Sequence, residues 1–286
     1  MRPGSDSTVA AGIDTADSLY LDLLKRCLTR YEFGEQWEQY ELPRGSVTRS
    51  LYAPLRRLLD SWDLLLVRRK PFDAAARREG RDWPLDAETM IGLKRLDNLQ
   101  RCVMDVLRRD VPGDLIETGV WRGGASIFMR AVLKMCGDAR RRVWVADSFQ
   151  GLPPPDPERY PADAGDRLWT FAQLAVPLEQ VKANFAKYGL LDDQVRFLVG
   201  WFKDTLPTVP VDRFAVIRLD GDLYESTMDA LTHLYPKLSP GGFVIVDDYG
   251  AVPACKAAVE DFRAAHAIAE TLESIDWTGV YWQRLR

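Results

Sequence analysis

From residue 114 to residue 248 the chain alternates between short β-rich apolar runs and spacers long enough to hold a helix. The runs are LIETGV (115–120), VWVADSF (143–149), VRFLVGW (195–201), FAVIRLD (214–220) and GGFVIVDD (241–248). Helical patterns fill the gaps at 126–136, 178–188, 226–238 and 254–267, and 269–283 leaves room for two more strands. Strands that are apolar on both faces and separated by helices are those of a parallel sheet covered on both sides. The sequence therefore predicts an α/β fold, a Rossmann-like, doubly wound, mostly parallel seven-stranded sheet with an antiparallel strand at its end.

Three carboxylates close two of these runs: Asp220 ends FAVIRLD, and Asp247 and Asp248 end GGFVIVDD. Open α/β sheets bind ligands beyond the carboxyl ends of their strands, so all three acids fall at the ligand edge. Gathered carboxylates repel one another unless a cation neutralises them, and an all-oxygen set suits a hard divalent ion such as Mg²⁺. Adjacent strand residues face opposite ways, so Asp247 and Asp248 can share an ion only if the strand stops there. The following Tyr249, Gly250, Ala251, Val252 and Pro253 support a turn.

The first run leads into a glycine turn, Glu117, Thr118, Gly119, Val120, Trp121, Arg122, Gly123, Gly124, Ala125, Ser126, that opens a helix. Glycine permits positive φ and close approach of a ligand, and the helix start offers free N–H groups. The spacing is not GxGxxG. An acid beside the turn repels a pyrophosphate and attracts the ammonium of an amino-acid moiety. Asp147, at the end of the second strand, can accept from both ribose hydroxyls. Gly200, Trp201 and Phe202, after the third strand, offer an aromatic surface for adenine, although such a pair serves a core equally well. Together these residues describe a site for S-adenosylmethionine better than one for NAD.

Before the sheet, residues 1–16 are small and polar and read as a disordered tail, and 17–110 as a helical or lid region ahead of a methyltransferase-like domain at 111–286. Asp17 or Ser18 can cap a first helix, a second helical pattern covers 51–67 after the turn at Pro43, Arg44 and Gly45, and a third precedes the sheet at 89–109. The charged stretch RRKPFDAAARREGRDWP (68–84) reads as a solvated connection, with an active-site lid as the alternative. A net charge of −4 argues against a nucleic-acid surface, despite the arginines between 56 and 81. The four scattered cysteines form no CxxC pair and only two histidines accompany them, so a zinc site is not expected. With no signal-peptide core and no apolar stretch of about 18 residues, the expectation is a cytoplasmic protein with no membrane partner. The leucine- and tryptophan-rich N-terminal third can pack on another subunit, giving a homo-oligomer.

With these residues in place, the chain resembles the macrocin O-methyltransferase family, metal-dependent enzymes that methylate sugar hydroxyls of glycosylated natural products. The resemblance rests on TMIGLKRLDNLQ, DLIETGVWRGGASIF, VWVADSFQGLP, NFAKYGLLDDQVRFLVGWFKDTLP, RLDGDLYESTMDALTHLYPKLSPGG and IVDDY, with IDWTGVYW near the end and a helix around YLDLLKRCLTRY. It spans nearly all of 84–286. It implies that Glu117, Thr118, Gly119, Trp121, Gly123 and Ser126 hold the methionine part of S-adenosylmethionine, Asp147 and Ser148 the ribose, and Gly200, Trp201 and Phe202 the adenine side. Thr89, Met90 and Ile91 resemble the segment that closes over the cofactor's amino-acid end. Asp220, Asp247 and Asp248 match the family's Mg²⁺ ligands, and Asp220 also its general base. Asp222 is an added acid, read as a cap or loop contact. The loop 153–173 and residues 43–81 have no clear match and read as lids facing a small-molecule glycosylated acceptor.

Other readings fall to specific residues. A nicotinamide oxidoreductase lacks its GxGxxG, a hydrolase lacks a GxSxG elbow, and His233 lies turns away from the sheet edge, as a packed or surface histidine. A metal-dependent catechol or phenol methyltransferase remains open, because it uses the same metal logic, as does a silent sugar- or metal-binding module.

Overall fold

In a computed structural model of the protein, the described residues are 16–33, 35–40, 49–62, 64 and 66–286. The tail expected at 1–16, apart from Ala16, and the turn at Pro43 to Gly45 lie outside them. Among the described residues nine strands follow in chain order: β1 (Glu35–Gln39), β2 (Val67–Pro71), β3 (Asp114–Thr118), β4 (Val143–Asp147), β5 (Val195–Val199), β6 (Phe214–Leu219), β7 (Leu238–Val246), β8 (Glu273–Ser274) and β9 (Val280–Gln283). The α-helices are α1 (Ala16–Leu28), α2 (Arg49–Ser61), α3 (Ala74–Glu79), α4 (Leu93–Arg108), α5 (Gly124–Met135), α6 (Leu178–Lys187), α7 (Phe202–Thr205), α8 (Tyr224–Leu234) and α9 (Pro253–Ala265).

The seven-stranded sheet has the order β5-β4-β3-β6-β7-β9-β8. Strands β3 to β7 are parallel, β9 runs antiparallel to β7, and β8 antiparallel to β9. This is the doubly wound, mostly parallel sheet that the alternation predicts. Period-two side-chain alternation sends neighbouring residues of each strand into different cores. Leu115, Val143, Val145, Val216 and Ile245 face one layer with α1, α4, α5 and α6. Ile116, Trp144, Ala146, Ile217, Val244 and Val246 face the other, with α8 and α9. Fully burying each of these aliphatic side chains contributes about 1.5–3 kcal/mol.

The chain starts the sheet in the middle at β3, moves out through β4 to β5, and returns to β6 on the other side of β3. The switch point therefore lies between β3 and β6. The ladder continues one residue past the strands: Gly200 N donates to Asp147 O, Gly119 N to Ala146 O, Asp220 N to Thr118 O and Asp247 N to Leu219 O, each at 2.9 Å. Those four bonds hold the strand tips level, so Gly119, Asp220 and Asp247 stand side by side at one edge.

Two expectations are corrected ahead of the sheet. The region 17–110 is not wholly helical: β1 and β2 form an antiparallel ribbon, and the helix expected over 51–67 ends at Ser61, with Val67 beginning β2. The charged stretch 68–84 is largely exposed, as expected of a surface connection, but it is not structureless. It holds β2 and α3, whose N-cap Asp73 accepts from Ala75 N and Ala76 N and whose Gly80 takes the left-handed conformation after it. Arg77, inside α3, is fully buried. Its Nη2 donates to the carbonyls of Met90 at 2.5 Å and Ile91 at 3.0 Å, and its Nη1 pairs with Asp82 at 3.2 Å. The cluster of basic residues hid a guanidinium that folds as a strut, because charge density in sequence does not show which side chain turns inward.

Arg77→Ala removes that ion pair and both carbonyl bonds from a buried site. The expected cost is about 3 kcal/mol of stability, read as a lower urea midpoint; a midpoint equal to that of the unsubstituted chain would show the strut to be dispensable.

Candidate active site

A cleft open at its mouth lies over the switch point. Of the residues expected at a cofactor site, Met90, Gly119, Trp121, Asp147, Ser148, Gly200, Trp201 and Phe202 line it, as does Asp220. Thr89, Ile91, Glu117, Thr118, Gly123 and Ser126 do not. Gly119 has φ 79°, and a Cβ there would stand 1.7 Å from the Asp220 carbonyl oxygen, so only glycine lets the first turn pass under β6. Gly124 begins α5 against the segment before α4: its N donates to Glu88 O at 2.9 Å, and a Cβ would meet Glu88 O and Thr89 Cβ at 2.6 Å. This contact and the Arg77 strut set Met90 in the cleft wall.

Asp147 shapes the loops around it. Its Oδ2 accepts from Val120 N at 2.8 Å and its Oδ1 from Phe149 N at 2.7 Å. Burial raises its pKa, opposed by those amide bonds. Trp121 (φ 47°), Phe149 (φ 58°) and Asp222 (φ 58°) all hold left-handed backbones beside the cleft, a strain of about 1–3 kcal/mol each that the surrounding bonds must sustain. Trp121 Nε1 donates to Gln173 O at 2.9 Å, fastening the end of loop 153–173 to the glycine turn. The same loop is fixed at its other side by Asp163, buried, which accepts from Tyr224 N at 2.6 Å and Glu225 N at 3.1 Å at the start of α8. The loop expected as a lid is thus tied down at two points.

Glu117 is 2% exposed and does not face the cleft. Its carboxylate accepts from Ser126 Oγ and, at 2.5 Å, from Arg218 Nη1. Burial outweighs Arg218 and Ser126 and raises its pKa to about 7. The expected attraction of Glu117 for a ligand's ammonium is therefore met within the chain by a guanidinium.

Period-two alternation puts Glu117, Arg218, Asp220 and Asp247 on one face of the sheet, toward α4. Arg218 is the Cα partner of Glu117 across β3 and β6. Its Nη1 also donates to Asp220 Oδ2 at 2.8 Å, and its Nη2 to Asp247 Oδ1. From α4, Arg95 donates to the other Asp247 oxygen and, at 3.0 Å, to Asp276 Oδ2. Burial opposes the Arg218 charge, yet Asp247, Asp220 and Glu117 together lift its pKa well above the ordinary arginine value. Arg218, Arg95 and Asp276 escape the sequence reading. An arginine inside the apolar run FAVIRLD was the available signal, since a charge in a strand buried on both faces needs partners.

Asp248 joins the group because β7 stops at Val246. Val252 N donates to Asp248 O at 2.8 Å, and Gly250 N to Thr278 O at 2.9 Å. Thr278 Oγ1 donates to Asp247 O at 2.9 Å and accepts from Ala251 N at 3.0 Å, so the IDWTGVYW segment clamps the turn. One carboxylate oxygen from each of Asp220, Asp247 and Asp248 then lies within 4.8 Å of the others. Burial, followed by Asp247, raises Asp220 to about 6; burial, followed by Asp222 and Asp220, raises Asp248 well above the carboxylate range. Asp222 donates its backbone N–H to Asp248 Oδ2 at 3.2 Å, and Asp222 lines the cleft with Glu225 and Asp229. Its pKa rises to about 8, first through burial and then through Asp220 and Asp247. His233 does not line the cleft.

The donors present fit a hard divalent cation: they are all oxygen and they converge on one point. Among the described residues, this is the one cluster of acids, histidines or cysteines close enough to share an ion. No helix among them is long and apolar enough to cross a membrane.

Comparison with known proteins agrees with this geometry. The family model for macrocin O-methyltransferase matches residues 17–284. A tetracenomycin 4'-O-methyltransferase from Streptomyces olivaceus is 54% identical over 271 residues, 94% of each chain. The demethyldecarbamoylnovobiocin O-methyltransferase of Streptomyces niveus is 59% identical over 73% of this chain and 80% of its own, and the mycinamicin III 3''-O-methyltransferase of Micromonospora griseorubida is 48% identical over 94% and 98%. Among solved structures, the O-methyltransferase NovP superposes with a TM-score of 0.81 at 49% identity, covering 94% of this chain and all of that one. The calicheamicin methyltransferase CalS11, at 18% identity and a TM-score of 0.55, shares the fold. The level strand tips, the glycine turn under β6 and these likenesses lead to one conclusion: the chain is an O-methyltransferase and belongs to the macrocin O-methyltransferase family.

Proposed function

We propose that the chain transfers the methyl group of S-adenosylmethionine to a sugar hydroxyl of a glycosylated natural product, with Mg²⁺ held by Asp220, Asp247 and Asp248. One observation carries this reading: of the three convergent aspartates, Asp220 alone also lines the cleft, so it joins the acid cluster to the ligand space. The glycosylated acceptors named for the relatives support the substrate class. A sulfonium methyl is already a good electrophile, and what a sugar hydroxyl lacks is nucleophilicity. When bound, the cation supplies Lewis-acid stabilisation of negative charge developing on the acceptor oxygen.

The remaining work falls to the chain. Met90, Gly119 and Trp121 would hold the amino-acid end of the donor, Asp147 and Ser148 its ribose, and Gly200, Trp201 and Phe202 its adenine. Asp220 would accept the hydroxyl proton, after which the oxygen attacks the methyl carbon and the bond to sulfur breaks in line. Asp222 competes for the proton, because it also lines the cleft and Asp220 Oδ2 is already engaged by Arg218. A catechol or phenol would satisfy the same geometry and is the alternative acceptor.

Incubating the enzyme with S-adenosylmethionine, Mg²⁺ and a panel of glycosides and catechols, read by mass spectrometry, tests the class. A gain of one methyl on a glycoside that vanishes with EDTA is expected; transfer to catechols alone, or undiminished transfer in EDTA, would overturn the reading. Asp220→Asn should lower kcat by at least about 100-fold while sparing calorimetric binding of S-adenosylmethionine. Asp222→Asn separates the two bases: full cation affinity with lost turnover would move the proton to Asp222.

The raised acids make a further prediction about pH. A carboxyl group whose folded pKa lies above its unfolded value takes up more protons in the folded state, so stability falls as pH rises from the unfolded toward the folded pKa. For Asp220, Glu117 and Asp222 that window runs from about 4 to about 8. The cation-free protein should therefore lose Tm between pH 5 and pH 8, and Mg²⁺ should raise Tm more at pH 8 than at pH 5. An equal Mg²⁺ shift at both pH values would contradict the assigned ligands.

A further inference from the structure

We infer that Arg218 is a positioning residue for the cation set, acting through the fork of its guanidinium, with Arg95 as its counterpart on the opposite oxygen of Asp247. The inference rests on the metal-dependent reading above and extends it to residues that touch neither cation nor substrate.

Arg218 is 1% exposed and lies in β6 two residues before Asp220. One guanidinium spans three carboxylates on three strands: Nη1 donates to Glu117 Oε1 at 2.5 Å and Asp220 Oδ2 at 2.8 Å, and Nη2 to Asp247 Oδ1. It thereby fixes the rotation of two of the three converging aspartates. Asp247 is held from its other side, since Oδ2 accepts from Arg95. Arg95 is aimed in turn by Asp276, whose Oδ1 accepts from Thr278 N at 3.0 Å and Gly279 N at 2.8 Å. A carboxylate oxygen has two lone-pair directions, so one hydrogen bond to each oxygen leaves the other direction for a cation. Both guanidinium bonds to Asp247 therefore orient the ligand without consuming it.

Charge alone does not explain this choice. A lysine would bring the same positive charge as a compact point with no planar fork, and could not bridge Glu117, Asp220 and Asp247 in fixed directions. Partners of metal ligands typically contribute about 10–100-fold to metal affinity by holding those ligands in place. A positive group near a cation repels it, so a role limited to charge balance predicts that Arg218→Lys binds cation as the unsubstituted chain does. A positioning role predicts a loss.

The test is calorimetric titration of the full-length protein with Mn²⁺ in the presence of S-adenosylmethionine, for the unsubstituted chain, Arg218→Lys and Arg95→Lys. Both variants should bind Mn²⁺ about 10–100-fold more weakly, with S-adenosylmethionine affinity unchanged. In assays the Mg²⁺ concentration for half-maximal activity should rise by a similar factor, and kcat should recover toward the unsubstituted value at saturating Mg²⁺. Arg95→Lys reports on the same hold should Arg218→Lys not fold. Variants that lose only Tm while binding Mn²⁺ normally would overturn the inference and leave the arginines with a structural role alone. An unsubstituted chain that binds no Mn²⁺ would instead remove the metal-dependent reading, and this inference with it.

Discussion

Acidic groups cannot be collected at the tip of a buried sheet without compensation, and in this protein the compensation is the burial of Arg218 beneath them. Four carboxylates, those of Glu117, Asp220, Asp247 and Asp276, pair with the guanidinium groups of Arg218 and Arg95, and Asp248 converges with Asp220 and Asp247 beside Asp222. Each buried ion costs several kcal/mol of solvation, which only close partners with good geometry offset. Two arginines do not balance these acids, and burial first, with neighbouring acids after it, raises the pKa values of Glu117, Asp220, Asp222 and Asp248. A site in this condition favours whatever brings positive charge, whether protons, a divalent cation or the sulfonium and ammonium of a donor.

The elements outside the sheet are arranged around that constraint. Helix α4 supplies Arg95, and the segment preceding it supplies Met90 to the cleft wall; α3 holds that segment through Arg77, and Gly124 of α5 holds it from the other side. The C-terminal segment closes the loop, because Asp276 aims Arg95, Thr278 clamps the turn after Asp247, and Trp277 Nε1 donates to Glu79 O at 2.8 Å in α3. Regions far apart in sequence thus converge on a few side chains, and a disturbance in α3 reaches both the cleft wall and the charged cluster.

The sheet and its acidic edge were legible because their signals are local. Five apolar runs of strand length and their terminal aspartates are read directly from residue order, and the level strand tips follow from the parallel ladder. The turn that lets Asp248 join Asp247 was foreseen from Tyr249 to Pro253 for the same reason. Arg218 was not, since its partners Glu117 and Asp247 lie 101 and 29 residues away and no spacing rule links them. The bond between Glu117 and Arg218 was hidden for the same reason, since the acid beside the glycine turn gives no sign of its partner in β6. Arg77 escaped differently, because its neighbours Arg78 and Arg81 are exposed and composition averages over all three.

The topology also sets the distance over which the proposed transfer works. Gly119 and Asp220 follow adjacent strands joined by the Asp220 N to Thr118 O bond, and adjacent strands lie about 4.8 Å apart. A donor resting on the β3, β4 and β5 tips and a proton acceptor on the β6 tip are therefore neighbours by construction of the sheet, without any domain closing to bring them together. Near-attack geometry needs reacting atoms about 3–3.5 Å apart, a gap that the orientation of the acceptor hydroxyl must supply. The cleft wall beyond Asp220 carries Asp222, Glu225 and Asp229 from the α8 side and Leu152, Pro153 and Leu174 from the fastened loop. In the proposed reaction the chemistry would rest on strands whose spacing is fixed, and the choice of acceptor would fall to a helix start and a loop, where sequence can vary without moving the charged cluster.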